Sequence, residues 1–431
     1  MIDCSEEEQI ELKKNITHQR SSLGSTTHRP TNFATTTTSQ TDMLNDSDWL
    51  ARPRIVAGAM SGTSFDGVDA ALVRFTQADS HTRIELLGFA SVEFPSSFRH
   101  TLMALTERPF AIGELGDCSC VLMHYYERAI TGAITAAHAS PVAIGIHGQT
   151  LWHAPTPSSR ESVLCRSTFQ LATPAILAAT FGVPVVSDVR SADVALGGQG
   201  APLVPLLDWE LLHTEHDYVI GLNIGGIANV TLLPPDATLN SIRAFDTGPG
   251  NVWIDSAMHR YWGKRFDEGG KTAAAGQIIP SLLEQLKAIP YIVMPPPKTT
   301  GRELFSVREL EQYLVPLERA MVCPEDIVAT LTAFTAWSIA ENIRRFARED
   351  ATIVVSGGGS YNTTVLDALK QELPRARILR LSDYCGIPES IKEAVLMAYI
   401  AYRTLGGLPS SIPSVTGASR AAVLGSITPP P

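Results

Sequence analysis

The chain has 431 residues, and this length predicts two or three domains rather than a single hydrophobic core. Its formal net charge of −10 argues against a surface for nucleic acid or anionic membrane, so an anionic ligand would need local help from metal, dipoles or a few cations. Six scattered cysteines without a CxxC pair, no apolar run long enough to span a membrane and an acidic N-terminus without a secretory signal predict a cytoplasmic protein with reduced thiols.

The first segment, residues 1–52, is rich in Ser and Thr, nearly free of large apolar residues and without periodicity. Such a composition cannot bury enough apolar surface to offset the entropy of folding. We therefore predict a disordered extension, and we expect its removal to leave activity intact.

The stretch 54–75 predicts a β-hairpin, because apolar and partly β-branched strands flank the polar turn SGTSFDG. Glycines in such a turn let an anion approach the backbone, hydroxyls can donate hydrogen bonds, and a carboxylate can hold Mg²⁺ through water. In chain order these residues are Gly62, Thr63, Ser64, Asp66 and Gly67. Taken alone, the stretch also fits an ordinary surface hairpin.

After a further strand and two helices, the apolar run PVAIGIHGQT predicts a buried strand that ends in a polar turn. This order of elements is typical of an α/β domain with ligand residues at its strand ends. His147 and Gln149 stand where the strand would open into a cleft. A hydrogen-bonded structural role is the alternative for His147, and a metal pair with His153 is disfavoured because no carboxylate stands in register.

The next strand, VPVVSD, ends in Asp188 and leads into a loop with Arg190, Asp193 and the glycine-rich GGQG at 197–200. So many special residues in one loop favour a functional role. A helix-capping aspartate followed by a flexible turn is the alternative.

A second strand, turn and strand follows at 217–234, with Gly225 and Gly226 at the centre of its polar turn. It repeats the pattern of the first hairpin. The repetition predicts two lobes that face one nucleotide across a cleft.

The duplication sets the expected domain organisation. We expect lobe I over 53–189, with 412–431 packing back onto it, and lobe II over 190–411.

Further acids and glycines stand at later strand ends. The short strand IRAFDTGPGN brings Asp246 to such a position, where acidic side chains commonly face substrate. Gly357, Gly358 and Gly359 lie between an apolar strand and a helix, so bare backbone and a helix N-terminus can face a nucleotide. A tight strand-to-helix joint is the alternative there. The last long helix carries Glu393, which we assign to the cleft.

Three common nucleotide and hydrolase motifs are absent from the sequence: the Walker A loop, the Rossmann GxGxxG and the GxSxG elbow. We therefore expect phosphate to be bound by the turns of the two hairpins.

Duplicated Gly/Ser/Thr hairpins, an acid at a strand end and a late glycine-rich loop resemble the actin-like ATPase and sugar-kinase superfamily. Within it, eight motifs in order resemble the anhydro-N-acetylmuramic acid kinases of peptidoglycan recycling. These motifs are AMSGTSFDGVD, GIHGQT, DVRSADVALGGQGAPLVP, NIGGIANVT, FDTGPGNVWID, PPPKTTGRELF, VVSGGGSYN and DYCGIPESIKEA. The resemblance covers residues 54–427 and departs at Val189, where an aromatic residue is expected.

The resemblance implies an α/β fold of the two-lobed, actin-like ATPase type, related to ribonuclease H, with a central cleft. It also implies the reaction. Water opens the 1,6-anhydro bridge of 1,6-anhydro-N-acetylmuramic acid, and the freed O6 takes the γ-phosphoryl group of ATP, giving N-acetylmuramate 6-phosphate and ADP. ATP and Mg²⁺ are the implied cofactors, a small amino sugar is the implied partner, and a homodimer is one assembly that the family pattern allows.

The resemblance assigns the ATP site by motif. Its residues are Gly62, Thr63, Ser64, Phe65, Asp66, Gly67, Val68, Asp69, Gly225, Gly226, Gly357, Gly358 and Gly359, with Asp66 also assigned to the metal through water.

For the base that deprotonates water, the resemblance favours Asp246, and Asp188 is the rival. The residues assigned to the sugar are His147, Gln149, Arg190 and Glu393. Two other hypotheses stay open: a kinase of the same superfamily for a plain sugar or a carboxylate, and a non-enzymatic actin-like module. The density of acids at strand ends speaks against the module.

Overall fold

The structure, a computed structural model, describes residues 48–62, 64–78, 81–300 and 304–431. The predicted extension lies outside the described residues up to position 47, and so does Thr63 of the predicted ATP motif. The described part begins with a 3₁₀ helix at Trp49–Ala51, and the buried indole of Trp49 donates a hydrogen bond to the carbonyl of Tyr402 at 2.8 Å. Trp49 thus belongs to the hydrophobic core, and the expected division into an extension and two lobes stays a prediction.

Three sheets carry the strands of the described chain. The strands are β1 (Arg54–Met60), β2 (Gly67–Ala78), β3 (His81–Glu93), β4 (Ala143–Ile146), β5 (Gln149–Arg160), β6 (Val163–Leu171), β7 (Val185–Ser187), β8 (Val219–Ile224), β9 (Ile227–Leu233), β10 (Arg243–Pro249), β11 (Thr352–Ser356), β12 (Arg377–Arg380) and β13 (Ser426–Thr428).

Lobe I is built on a mixed sheet with the strand order β13-β7-β4-β1-β2-β3. Strands β1, β2 and β3 form an antiparallel meander, whereas β4 is parallel to β1 and β7 is parallel to β4. Strand β13 pairs antiparallel with β7, so the end of the chain lies on this sheet. All four residues of β4 are buried, as expected for a strand covered on both faces.

Lobe II repeats this topology with the strand order β10-β9-β8-β11-β12. Strands β8, β9 and β10 are antiparallel, and β11 and β12 continue the sheet parallel to β8. Each lobe therefore contains an antiparallel meander followed by two parallel strands. This duplicated arrangement is that of the two-lobed, actin-like α/β fold, and the fold class predicted from the sequence is confirmed.

A third, two-stranded sheet pairs β5 with β6. This hairpin was not predicted from the sequence. It carries several exposed apolar side chains, including Trp152 and Leu164.

Helices cover both large sheets. They are α1 (Ser96–Glu107), α2 (Ile112–Ala137), α3 (Pro174–Phe181), α4 (Ser191–Ala195), α5 (Val204–Leu212), α6 (Val252–Trp262), α7 (Lys271–Ala275), α8 (Pro280–Lys287), α9 (Pro290–Val293), α10 (Val307–Arg319), α11 (Pro324–Phe346), α12 (Thr363–Glu372), α13 (Leu381–Cys385), α14 (Lys392–Leu405) and α15 (Pro413–Thr416). None of the helices in the described ranges is long and apolar enough to cross a membrane.

Helix α14 packs between the two lobes, and it lies unusually close to the lobe I sheet. A Cβ atom on Gly58 would overlap the carbonyl of Ala394, and one on Gly145 would overlap the carbonyl of Met397. Glycine at these strand positions therefore lets the helix backbone touch the sheet. Helix α14 shares one hydrophobic cluster with residues of both large sheets, so the core is continuous from one lobe to the other.

Candidate active site

The turn between β1 and β2 is fixed by a buried glutamine. Ser61 Oγ donates to Gln149 Oε1 at 2.6 Å, and Gln149 Nε2 donates to the carbonyl of Gly62 at 3.0 Å. Gln149 is fully buried, and both ends of its amide are used in these contacts. In the structure it holds the first turn, and its predicted contact with the sugar stays a prediction.

The rest of this turn uses its backbone to close on itself. Phe65 adopts a left-handed φ of +54°, and its N–H donates to the carbonyl of Gly62 at 3.3 Å. Ser64 and Asp66 are exposed at the tip. Gly67 lies where a Cβ atom would overlap the carbonyl of Val92 on the neighbouring strand, so packing in the sheet already requires glycine there.

A cavity of about 340 Å³ lies beside this turn. Asp66, Val68 and Asp69 line it together with Arg99, and Arg265 reaches it from lobe II. Burial raises the pKa of Asp69, and the hydrogen bond from Ser91 Oγ acts in the opposite direction. The cavity therefore brings acids of the first turn and a cation of the other lobe to one place.

The turn between β8 and β9 sits on the start of α6. The carbonyl of Gly225 accepts from Asn251 N, and the carbonyl of Gly226 accepts from Gly250 N, both at 2.8 Å. A Cβ atom on either turn glycine would meet no atom closer than 3.5 Å, so the outer side of the turn is open to a ligand.

The triple glycine after β11 combines two packing positions with one open position. Gly357 has a φ of +80°, and a Cβ atom there would lie 2.5 Å from Asn223 Oδ1. A Cβ atom on Gly359 would overlap the side chain of Ile224. At Gly358 it would meet nothing within 4 Å. The predicted alternative, a tight joint, thus describes two of the glycines, and Gly358 alone faces open space.

Gly358 opens onto a second cavity, of about 400 Å³, within lobe II. Its other walls come from the start of α6, from the loop before α7 and from the segment after Gly358. The lining residues are Asn251, Ile254, Asp255, Phe266, Asp267, Gly269, Gly358, Tyr361 and Asn362. Apart from the glycine, the sequence analysis did not single out these residues for a site.

His147 and Arg190 form the most closely coupled pair of predicted site residues. Arg190 Nε donates to His147 Nε2 at 2.9 Å, and His147 Nδ1 faces the carbonyl of Gly148 at 2.9 Å. Because the guanidinium always donates, His147 Nε2 must accept, and the ring proton belongs on Nδ1. Burial, reinforced by the Arg190 charge, lowers the pKa of His147 to about 3, so the imidazole is neutral at physiological pH.

The loop after α4 positions Arg190 from its other side. Arg190 Nη1 donates to the carbonyl of Gly200 at 2.6 Å, and Gly200 N donates to Asp193 Oδ2 at 2.7 Å. Asp193 is fully buried and also accepts from Thr416 Oγ1 at 2.7 Å. Asp193 therefore shapes the glycine-rich loop, and the loop in turn holds Arg190.

Asp188 stands at the end of β7 in an uncommon backbone conformation. Its φ is +52°, its side chain is exposed, and Oδ1 accepts from Ser191 Oγ at 2.6 Å. Non-glycine residues in this region are frequent at functional sites. Val189, where the sequence departs from the expected aromatic, is buried beneath the same loop.

Asp246 lies in β10 opposite Asn229 of β9. Its Oδ2 accepts from Thr299 Oγ1 at 2.9 Å and from Thr300 N at 2.8 Å. The preceding residue of that loop, Lys298, is buried and donates from Nζ to the carbonyl of Ile292 at 2.9 Å. Asp246 thus anchors the loop at 298–300 to the lobe II sheet.

A third cavity, of about 220 Å³, lies between the lobes. His147, Arg190 and Glu393 line it from one side, and Asn223 and Asn229 line it from the lobe II hairpin. Loss of hydration in the cleft raises the pKa of the Glu393 carboxyl, and the Arg190 charge acts in the opposite direction. The structure therefore brings together in one cavity several residues that the sequence places far apart.

Asp66, the predicted magnesium ligand, lies exposed at the tip of the first turn. No cluster of three or more His, Cys, Asp or Glu side chains in the described ranges could form a metal site made of protein alone. Mg²⁺ at a nucleotide commonly takes one or two carboxylates and fills its remaining positions with phosphate oxygens and water. The exposed carboxylate of Asp66 fits that kind of site.

Known proteins resemble this chain over most of its length. The profile of the anhydro-N-acetylmuramic acid kinase family matches residues 54–430. An anhydro-N-acetylmuramic acid kinase from Caldanaerobacter subterraneus is 36% identical and aligns over 87% of this chain and 97% of its own length. One from Saccharophagus degradans is 39% identical over 88% of this chain and 100% of its own. Among solved structures, a ROK family glucokinase from Streptomyces griseus in complex with glucose and AMPPNP matches with a TM-score of 0.36 and 16% identity, over 81% of this chain and 99% of its own.

Proposed function

The chain belongs to the anhydro-N-acetylmuramic acid kinase family, and we propose that its cleft carries out the reaction of that family. Water adds to C1 of 1,6-anhydro-N-acetylmuramic acid, the C1–O6 bond breaks, and O6 takes the γ-phosphoryl group of ATP. The products are N-acetylmuramate 6-phosphate and ADP, which assigns the protein to the recycling of peptidoglycan. The observation that carries this proposal is the family match over residues 54–430.

The nucleotide is proposed to lie along the lobe II side of the cleft. Gly225 and Gly226 of the second turn, together with Gly358, leave room for phosphates against bare backbone. The cavity beside Gly358 then receives the nucleoside. Asp66 would hold Mg²⁺ through water, and the ion would supply positive charge to the phosphates.

The sugar is proposed to occupy the cavity between the lobes. Arg190 is held there by contacts with His147 and Gly200. A guanidinium fixed in this way is suited to a carboxylate, and the substrate carries one on its lactyl group. Glu393 on the cavity floor can hydrogen-bond to sugar hydroxyls.

The two candidate bases differ in what already holds them. Asp188 is exposed at a strand end, two residues before Arg190. The hydroxyl of Ser191 donates to its carboxylate and orients it. Asp246 accepts two hydrogen bonds on one oxygen from the loop at 298–300. We therefore propose Asp188 as the group that takes the proton of the attacking water and Asp246 as the anchor of the loop, which exchanges the roles preferred in the sequence analysis.

A cytoplasmic location remains part of this proposal, since ATP is its substrate and the cysteines are scattered along the chain. Assembly as a homodimer also stays a prediction, to be measured by analytical ultracentrifugation.

The direct test is turnover with ATP, MgCl₂ and 1,6-anhydro-N-acetylmuramic acid in H₂¹⁸O. Mass spectrometry should find a sugar phosphate with one ¹⁸O, because water supplies the new oxygen at C1. Free N-acetylmuramate and acetate serve as alternative substrates. Efficient phosphorylation of either one, with the anhydro sugar untouched, would contradict the proposal.

A further inference from the structure

The cavity beside Gly358 has the form of a site for a planar group. Phe266 and Tyr361 line it and are 56% and 47% exposed, although large aromatic side chains are usually covered. Ile254 closes the floor and is buried. The volume of about 400 Å³ is at the small end of the range for ligand pockets, which suits one nucleoside.

Two other polar side chains of this cavity, those of Asp267 and Asn362, accept hydrogen bonds from the backbone of the protein. Asp267 accepts from Thr272 N at 2.8 Å and from Ala273 N at 3.0 Å, which caps the start of α7. Asn362 Oδ1 accepts from Val365 N at 3.1 Å and caps α12. These side chains hold the walls in place.

Asp255 is the exception. Within the described ranges, no group donates a hydrogen bond to its carboxylate, although the side chain is largely covered. Burial raises the pKa of Asp255 to about 7, with the Arg265 charge opposing the shift and Asp267 adding to it. A carboxylate that lines the cavity without a protein donor can accept a hydrogen bond from a ligand bound there.

Resting on the proposed ATP site, we propose that Asp255 determines nucleotide specificity by accepting a hydrogen bond from a donor of the nucleoside. An adenine nucleoside offers such donors at its exocyclic amine and at its ribose hydroxyls. Asp255 lies one helical turn beyond Asn251, whose N–H contacts the glycine turn proposed for the phosphates. The carboxylate is thus set back from the phosphates by about the length of one turn, where the nucleoside would be.

The test measures KM for ATP, ITP and 2′-deoxy-ATP with the wild type, Asp255→Asn and the matched surface control Asp367→Asn. ITP lacks the amine and 2′-deoxy-ATP lacks one hydroxyl, so the poorer of the two identifies the donor in the wild type. We expect Asp255→Asn to raise the KM for ATP about tenfold, the effect of losing one hydrogen bond to a charged group. In Asp255→Asn, the KM for that analogue should lie within about twofold of the KM for ATP, whereas kcat and the KM for the sugar should be unchanged. The control Asp367→Asn should behave like the wild type.

If the amine is the donor, Asp255→Asn should also lower the KM for ITP, because an amide can donate to the carbonyl oxygen of inosine. A KM for ATP within twofold of wild type would overturn the proposal. So would a KM raised equally for all three nucleotides, since that pattern indicates a disturbed cavity.

Calorimetric binding of AMPPNP and of its inosine and deoxyribose analogues, without sugar, keeps this inference separate from the proposed reaction. The same pattern of affinities in a protein that phosphorylates no sugar would support Asp255 and contradict the proposed function. Failure of the wild type to bind AMPPNP would overturn both.

Discussion

Arg190 Nε donates to His147 Nε2 at 2.9 Å, and this contact fixes both the tautomer of the histidine and the direction of the guanidinium. His147 is therefore a positioning residue for the arginine proposed to bind the sugar. Its pKa of about 3 means that it does not change charge between pH 5 and 8. Any activity transition in that range must come from another group.

We predict that His147→Leu raises the KM for the anhydro sugar about 10- to 100-fold, because one hydrogen bond to a charged group is lost. His147→Gln should keep most of the affinity, since its amide oxygen can accept at the position of Nε2. Steady-state kinetics with each substrate varied would show this. An equal rise in the KM for ATP would mean that the substitution disturbs the whole cleft.

Much of this site was accessible from the sequence because glycines and polar residues at strand ends mark it. The two hairpin turns, His147, Arg190 and the late glycines were found in this way. Trp49 was not recognised as a core residue, because a single large apolar side chain in a polar segment gives no periodic signal.

Other features depend on contacts between residues distant in the chain, and the sequence pattern does not encode these pairings. Gln149 reaches back to Ser61, and Asp193 is held by Thr416. Asp255 lies on an ordinary amphipathic helix and became a candidate only when the fold placed it against an open cavity. The β5–β6 hairpin was missed because its alternation is interrupted by prolines and irregular pairing.

The different roles proposed for Asp188 and Asp246 can be separated by paired substitutions. Asp188→Asn keeps the shape of the side chain but cannot take a proton from water, so we predict a fall in kcat of about 10²- to 10⁴-fold. Asp246→Asn should keep the hydrogen bond from Thr299 and lower kcat by less. ATP binding, measured by calorimetry, should survive in both variants. A nearly inactive Asp246→Asn beside a nearly normal Asp188→Asn would restore the assignment favoured by the sequence.

Lys298 should give the unfolding free energy a characteristic pH dependence. Its ammonium is buried, with Nζ 4.9 Å from the ring centre of Tyr291, and burial lowers its pKa to about 8, although the Asp246 charge acts in the opposite direction and Arg345 adds slightly to the shift. The unfolded chain keeps this proton up to about pH 10.4. Between pH 8 and 10 the unfolded state therefore binds more protons, and the contribution of Lys298 to stability rises with pH.

Urea unfolding of the wild type and Lys298→Met at pH 7.5 and 9.5 measures this effect. The unfolding free energy of the wild type, relative to that of Lys298→Met, should be larger at pH 9.5 than at pH 7.5. Groups that titrate in both proteins cancel in that difference. A difference that does not change with pH would show that Lys298 has an ordinary pKa.

The buried ion pair of Lys392 and Asp208 ties α14 to lobe II. Lys392 Nζ lies 2.6 Å from Asp208 Oδ1, and the two side chains are only 5% and 3% exposed. The same Nζ donates to Ser356 Oγ at 3.1 Å, and Thr231 Oγ1 donates to Asp208 Oδ2 at 2.7 Å. Ser356 immediately precedes the glycine-rich turn, so the pair also supports the proposed nucleotide site.

We predict that Lys392→Met lowers the unfolding free energy by about 3–5 kcal/mol, because it leaves a buried carboxylate without its cation. Adding Asp208→Leu should recover much of the loss, since the double variant contains no unpaired buried charge. Lys370→Met, which removes an exposed pair with Asp367, serves as the control and should change stability by less than about 0.5 kcal/mol. Urea unfolding of the wild type, Lys392→Met, Asp208→Leu, the double variant and the control measures these differences. If the double variant were as unstable as the sum of its single changes, the pair would be two independent packing positions rather than one electrostatic unit.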